Sequence, residues 1–218
     1  IREYIINGQI PEAEELMVNA LSGTPQSQRV YQTLGDLYLS FPGLDDKAED
    51  YCRELELSDA VHSVIFHRGN THYKRETFAT GADDILVMHF ETDALDGMDM
   101  TALITRQNFY DYAGKYQKDT IILGGKIGGD GVEFCTMLRA SVESGSCEVI
   151  GERLVIRGAK KFTLYFSAGT TYRYQNLKET VWEKIEAAGQ YSYEELKERH
   201  KADYQALFQR VTLDLCAD

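Results

Sequence analysis

Alternation of apolar and polar side chains is the feature that most constrains the fold of this chain. From about Val30 to about Ala168, such alternation recurs in short runs separated by turn residues. A period of two places successive side chains on opposite faces of a β-strand. The run 132–142 shows it most clearly, and we expect its second face, with Cys135 and Met137, to stay partly solvated. The pattern predicts a mainly β fold.

Turn residues between the runs predict which strands are neighbours. Arg68-Gly69-Asn70 separates the runs 60–67 and 71–79, which predicts a hairpin with a short loop. Turns at Gly145 and Gly151 lead into the runs 147–150 and 153–157, and the run 161–168 completes a predicted antiparallel three-stranded meander. The predicted strands outside the hairpin are 85–91, 100–105, 120–123, 132–142, 147–150, 153–157 and 161–168.

Helical patterns flank the alternating region on both sides. At the amino end, Gly8 and Pro11 divide residues 1–22 into two predicted helices, and helical periodicity returns after Gly169. Helices do not alternate with the strands, so a parallel βαβ architecture is excluded. We therefore predict an antiparallel β-sandwich or barrel with helical attachments.

Two capping motifs predict where the last helices begin. Asn176 with Glu179, and Ser192 with Glu195, have the spacing of a capping box, in which the first side chain accepts a backbone N–H of the first turn. Apolar residues at helical spacing follow each motif. These residues are Leu177, Val181, Ile185 and Ala188 in the first helix, and Leu196, Tyr204, Leu207, Phe208 and Val211 in the second.

Charge and cysteine content limit the classes of partner. Lys plus Arg number 23 and Asp plus Glu 35, so the formal net charge is -12, which repels nucleic acid and anionic lipid. No apolar run approaches the roughly 20 residues that span a bilayer. Nucleic acid and membrane are therefore not expected partners. The four cysteines, Cys52, Cys135, Cys147 and Cys216, lack metal-ligand spacing, which predicts free, mostly buried thiols.

Potential metal ligands lack the spacing that metal sites need. His62, His67 and His72 bracket the predicted hairpin, but a spacing of five places successive members on opposite faces of a regular ladder. The acidic loop 93–99 lacks the ligand pattern and final glutamate of a calcium-binding loop, so we interpret it as a solvated turn. No metal site is predicted.

Catalytic motifs are not recognisable in the chain. The glycine-rich segment 124–131 leads into a predicted strand, whereas a phosphate-binding loop enters a helix, so a hairpin loop is predicted. The pairs Asp45-Asp46 and Asp83-Asp84 are interpreted as turns, because adjacent carboxylates on a strand point in opposite directions. Aromatic residues such as Trp182 offer faces for sugar stacking, but most are expected in the core. We predict no catalytic, cofactor-binding or metal-binding residue, and no cofactor.

An ordered set of segments covers nearly the whole chain. It begins with 31–37, 51–57 and the Arg-Glu-Thr-Phe-Ala strand 75–79. It continues with 131–134, 154–159, 169–172, His200, Asp203-Tyr204, Leu207-Phe208, Arg210-Val211 and Leu213. Together these segments resemble the N-terminal region of glycoside hydrolase family 95, the α-L-fucosidases.

The resemblance implies a domain organisation. It implies a large, supersandwich-like β-sandwich domain at residues 1–175, with a helical segment at about 1–22, followed by a helical linker at 176–218. In that family the linker leads to an (α/α)6 barrel that holds the catalytic residues. We expect a further segment before Ile1 and the barrel after Asp218, so the chain alone should be inactive.

The resemblance also implies a reaction and partners. The family hydrolyses terminal α-1,2-linked L-fucose with inversion, using a Glu acid and a carboxylate base that activates water through asparagines. The expected partners are the barrel of the same polypeptide and, for the parent enzyme, a fucosylated oligosaccharide. The alternatives are a stand-alone carbohydrate-binding β-sandwich module and a domain of a related glycoside phosphorylase. The predicted free thiols favour a cytoplasmic location. A leader peptide removed from the amino end would be compatible with another compartment, so the sequence does not assign one.

Overall fold

Two compact units make up the protein. They are Ile1–Thr33 and Leu34–Asp218. Among the described helices, none is long and apolar enough to cross a membrane. The computed structural model describes residues 1–23, 32–44, 48–129 and 131–213.

The first unit contains the two helices that the sequence predicts. They are α1 (Arg2–Ile6) and α2 (Ile10–Leu21). Proline is favoured in the first turn of a helix, where an N–H has no intrahelical partner, and Pro11 lies there in α2. Ala13 is buried, whereas most of the larger apolar side chains of this unit are exposed.

The described part of the second unit forms twelve strands in two antiparallel sheets, followed by two helices. The smaller sheet has the order β1-β6-β11-β10, and the larger has the order β2-β3-β4-β5-β12-β9-β8-β7. The predicted β-sandwich with helices at both ends is confirmed. The elements are β1 (Asp36–Ser40), β2 (Glu49–Glu56), β3 (Val61–Arg68), β4 (Thr71–Thr80), β5 (Ile85–Thr92), β6 (Met98–Thr105), β7 (Tyr112–Gln117), β8 (Thr120–Lys126), β9 (Glu133–Val142), β10 (Ser146–Ile150), β11 (Arg153–Ala159), β12 (Lys161–Thr170), α3 (Leu177–Ala188) and α4 (Tyr193–Phe208).

The first core lies between the two sheets. Facing side chains of the larger sheet include Phe90 and Phe162, whose rings stack with centroids 4.6 Å apart. The smaller sheet contributes Met100 and Ile156, both fully buried. We call the face of the larger sheet that carries Phe90 and Phe162 its inner face, and the opposite face its outer face. The smaller sheet packs on β7, β8 and β9, whereas β2 at the opposite edge is exposed along its whole length.

A second core lies on the outer face of the larger sheet, under the two helices. Cys135 and Met137 of β9 are fully buried there in the same cluster as Val181 and Ile185 of α3. The prediction that this face of β9 stays partly solvated is wrong, because α3 covers it. Alternation within a strand shows that it has two faces, but not what packs on each of them.

The predicted meander is also wrong. β10 and β11 form a hairpin in the smaller sheet, but β12 pairs with β5 and β9 in the larger one. The register shifts between Ile156 and Ala159, and Gly158 adopts a φ of +59°, where the chain leaves the smaller sheet. β12 is buried on both faces, which requires a position inside the larger sheet, between both cores.

The last helices show one capping box of the two predicted. At α4, Ser192 Oγ accepts the Glu195 N–H and the Glu195 carboxylate accepts the Ser192 N–H. At α3, Asn176 occupies the N-cap position but its side chain makes no capping hydrogen bond, so that box is not formed. The predicted apolar face of α3 and its end at Gly189 are confirmed.

Candidate functional site

A polar cluster fastens the start of α4 to the outer face of the larger sheet. Its centre is Glu76 on β4, which is 8% exposed. Tyr193 Oη donates a hydrogen bond to Glu76 Oε2, and Lys197 Nζ donates to both carboxylate oxygens at 3.0 and 3.1 Å. Lys74 Nζ lies 3.1 Å from Oε1. Two ammonium groups and a phenol therefore surround one carboxylate.

This surrounding changes the proton affinities of the cluster. Burial by itself raises the pKa of Glu76, but hydrogen bonds from Tyr193, Lys197 and Lys74 outweigh it and lower the pKa to about 2. Burial, together with the bond to this carboxylate, raises the pKa of Tyr193. Glu76 is therefore ionised and Tyr193 is a neutral donor at physiological pH.

His89 of β5 lies beside the polar cluster and packs against Tyr193. Its ring stacks on Tyr193 with centroids 3.9 Å apart, Nδ1 lies 2.8 Å from Thr163 Oγ1, and Nε2 lies 3.1 Å from Glu91 Oε1. Burial lowers the pKa of His89 more than Glu91 raises it. The imidazole therefore favours its neutral form, which suits a ring packed against a phenol.

Ion pairs at the turn between β4 and β5 hold both helices. Arg199 of α4 donates to Asp83 through Nη2 at 2.8 Å and through Nε, and Lys184 of α3 lies 2.5 Å from Asp84. The interpretation of Asp83-Asp84 as a turn is confirmed, and its two carboxylates serve as helix anchors. Asp45-Asp46 lies outside the described residues.

The carboxyl-terminal half of α4 presents an apolar surface. Tyr204 Oη donates to the Leu57 carbonyl at 2.8 Å, and the Tyr204 and Phe208 rings stack with centroids 5.2 Å apart. The predicted apolar stripe of α4 is buried only at its start. Leu196 is fully buried on the sheet, whereas the members after Tyr204 are exposed. α4 ends at Phe208, so the prediction that this helix carries Val211 is wrong. We call Leu207 and Phe208 at the end of α4, with Val211 and Leu213 just after it, the exposed α4 surface.

An aromatic groove opens on the inner face of the larger sheet, beside the edge that the smaller sheet leaves uncovered. Three cross-strand rings form a ladder: Tyr51 and Phe66 have centroids 6.4 Å apart, and Phe66 and Tyr73 have centroids 5.0 Å apart. Phe41 and Phe90, 5.6 Å apart, line it further in. The cavity has a volume of about 230 Å³. We call it the aromatic groove.

Arg75 lines the aromatic groove from the strand that also carries Tyr73. Its Nε atom is buried and has no hydrogen-bond partner in the part of the chain that the structure describes. A buried donor without a partner costs roughly 1–3 kcal/mol, more for a charged group. The sequence contains no local signal for this arrangement, because its residues come from five strands and a loop.

The predicted histidine geometry is wrong for one pair. His67 and His72 face each other across the β3–β4 hairpin, with ring centroids 4.0 Å apart, because cross-strand partners share a face. His62 lies five residues from His67 on the same strand. Within the described ranges, no group of three or more His, Cys, Asp or Glu side chains is arranged to hold a metal ion.

The cysteines are free thiols where the structure describes them. Cys135 is buried, Cys147 is half-buried and Cys52 is exposed, so the prediction of free thiols is confirmed for these three, but not the burial of Cys52. Burial raises the pKa of Cys147 to about 11. Cys216 lies outside the described residues.

The remaining loops have structural roles. β8 and β9 pair across the glycine-rich segment, so the predicted hairpin is confirmed. In the acidic loop 93–99, Asp93 accepts the His72 N–H, and Asp99, which lies at the start of β6, accepts the Gly158 N–H, each at 2.8 Å.

Comparison with known proteins places this architecture in a family. Residues 1–175 match the family model described as "Glycosyl hydrolase family 65, N-terminal domain". The chain belongs to this family. This family 65 N-terminal domain is also similar to curated proteins. The chain is 25% identical to Alpha-L-fucosidase 2 of Arabidopsis thaliana over 89% of the length of the chain. It is 24% identical to Probable alpha-fucosidase A of Aspergillus niger over 91% of its length.

The same fold occurs in a solved structure. A putative kojibiose phosphorylase from the human microbiome superposes with a TM-score of 0.56 at 12% identity, over 79% of this domain and 27% of that chain. The domain also spans 27% of each curated fucosidase. The N-terminal domain expected from the family 95 resemblance is thereby confirmed as a domain of a glycoside hydrolase or phosphorylase type.

Proposed function

We propose that this chain is the non-catalytic N-terminal domain of an enzyme that hydrolyses terminal α-L-fucosyl linkages. The observation that carries the proposal is the match, over about 90% of the chain, to two curated proteins named as fucosidases, each of which is much longer. The proposed substrate is a fucosylated oligosaccharide with α-1,2-linked L-fucose, cleaved with inversion. Catalytic carboxylates would then lie in the remainder of the enzyme.

The proposed partner of the domain is the (α/α)6 barrel of the same polypeptide. In this proposal residues 1–175 form the sandwich domain and 176–218 form the linker. The polar cluster around Glu76 and the ion pairs of Asp83 and Asp84 hold the linker helices against the sheet. The exposed α4 surface supports the proposal, because several large apolar side chains exposed within the short segment 207–213 are typical of an interface.

The net charge supports the exclusion of other partners. At -12, the chain repels phosphate backbones and anionic lipid surfaces, so nucleic acid and membrane are not part of the proposed function.

Two measurements test the proposal. An antibody against the 218-residue chain should detect, in the source cell, a polypeptide several times heavier than 24.7 kDa. That polypeptide should release free L-fucose from 2'-fucosyllactose without requiring phosphate, whereas the 218-residue chain should release none. A native mass near 24.7 kDa would contradict the proposal. Phosphate-dependent release of a sugar phosphate would instead assign the enzyme to phosphorolysis.

A further inference from the structure

We propose that the aromatic groove is a binding site for one neutral pyranose ring, separate from any catalytic centre. This inference goes beyond the proposed function, because it assigns to the chain a ligand of its own. It stands on three properties of the groove: aromatic walls, an unpartnered N–H and a volume suited to a single ring.

The walls of the groove match the apolar faces of a sugar. The ladder of Tyr51, Phe66 and Tyr73 stands on the inner face of β2, β3 and β4, at the margin of the area that the smaller sheet covers. Tyr51 ends the ladder and is 56% exposed, so its ring is accessible from solvent. A pyranose carries C–H groups on its faces and hydroxyls around its rim, and aromatic side chains pack on such C–H groups.

Arg75 supplies the polar contact. Its Nε–H lacks an acceptor among the described residues and is shielded from solvent, so a sugar hydroxyl or ring oxygen becomes its acceptor once the lining side chains shift on binding. Pockets that orient a ligand combine mostly apolar walls with a few placed polar groups, as here. Lys74 also lines the groove, but the walls are mostly apolar and the net charge of -12 repels anions at long range, and these two properties together favour a neutral ligand.

The volume limits the ligand to one ring. Drug-sized ligands occupy cavities of roughly 300–1,000 Å³. The aromatic groove, at about 230 Å³, is smaller and half-open, so neighbouring sugars of an oligosaccharide would extend into solvent. With one ring held by stacking and one hydrogen bond, affinity is expected in the millimolar range.

The test is a titration of the 218-residue chain, followed by NMR, with methyl α-L-fucoside, methyl β-D-galactoside and 2'-fucosyllactose. Saturable binding of at least one sugar is expected, with saturation transfer to its C–H protons. Tyr51→Ala and Arg75→Lys, which keeps the charge but removes the Nε–H, should each weaken it by about tenfold. The matched control is Tyr38→Ala, since Tyr38 lies on another strand and is 60% exposed. It should leave the affinity unchanged.

Three results would overturn the inference. The first is that none of the three sugars binds saturably, and the second is that both groove variants bind as tightly as the wild type. The third is stronger binding of N-acetylphenylalaninamide than of any sugar, which would indicate a site for a peptide side chain. Thermal unfolding of each variant verifies that it is folded. Because the assay measures binding by this chain and not fucose release, its failure leaves the proposed enzymatic function unaffected.

Discussion

Replacing Glu76 by glutamine should loosen α4 from the sheet and change how stability depends on pH. Glu76→Gln keeps the size and the acceptor oxygen of the side chain but removes the charge. Lys74 and Lys197 then lose the carboxylate that both contact. The polar cluster contacts the first turns of α4, so the loss should be concentrated there.

The pKa of Glu76 gives the magnitude. It falls from 4.5 to about 2, and each tenfold change in proton affinity corresponds to about 1.4 kcal/mol. The ionised carboxylate therefore contributes roughly 3 kcal/mol to the free energy of unfolding at neutral pH. Lys74 is 41% exposed and its attraction is screened by solvent, so we expect Glu76→Gln to cost about 2 kcal/mol.

The pH dependence has a definite sign. The pKa is lower in the folded state, so the stabilisation is fully present above about pH 4.5 and is lost as the pH falls towards about 2. Urea unfolding followed by circular dichroism should show a large difference between wild type and variant at neutral pH and a smaller one near pH 3. Hydrogen exchange of the first turns of α4 should be faster in the variant at neutral pH.

The control is Glu54→Gln, at an exposed glutamate on β2, which should stay within about 0.5 kcal/mol of wild type. Equal stability of Glu76→Gln and wild type at neutral pH would refute the reasoning. So would a difference that does not shrink on acidification, because it would then come from packing and not from ionisation.

Further substitutions test the helix caps, the second core and a close strand approach. Ser192→Ala should lower the free energy of unfolding by about 1 kcal/mol in thermal unfolding, whereas Asn176→Ala should have little effect, since its side chain makes no capping bond. Leu196→Ala should cost about 2–5 kcal/mol in urea unfolding, because the side chain is fully buried, and Leu207→Ala, 63% exposed, about 0.5 kcal/mol or less. Gly124→Ala should cost about 1–3 kcal/mol in thermal unfolding, because its Cβ would lie 2.6 Å from a carbonyl oxygen of β9.

Elements that depend on neighbouring residues in the chain were predictable. The β3–β4 hairpin follows from two alternating runs and a short loop containing Gly69, and the helix after Ser192 follows from a capping box. β1, β2 and β7 are not among the predicted strands, and β7, for example, is a short edge strand interrupted by Gly114 with weak alternation. An element was predicted where its local sequence signal is strong and was missed where that signal is weak.

The candidate site could not be predicted in the same way. Lys197 and Glu76 are 121 residues apart, and nothing near either residue indicates the other. The aromatic groove likewise combines rings from different strands. Tyr51, Phe66 and Tyr73 each look like ordinary core aromatics in the sequence, and only the limited width of the smaller sheet leaves Tyr51 exposed and the other two rings half-buried.

The sequence by itself determined the class of fold, because the period of side-chain alternation and the turn residues are local properties that select strands, hairpins and helices. Segments spread in order along the chain also indicated an N-terminal domain of a glycoside hydrolase, although they resemble family 95 and the matching family model is that of family 65. Only the tertiary structure decided that β12 belongs to the larger sheet and that α3 covers Cys135 and Met137. The physical reason is that an apolar strand face can be buried by a second sheet or by a helix. Only the packing of segments that are distant in the sequence decides which of them covers it.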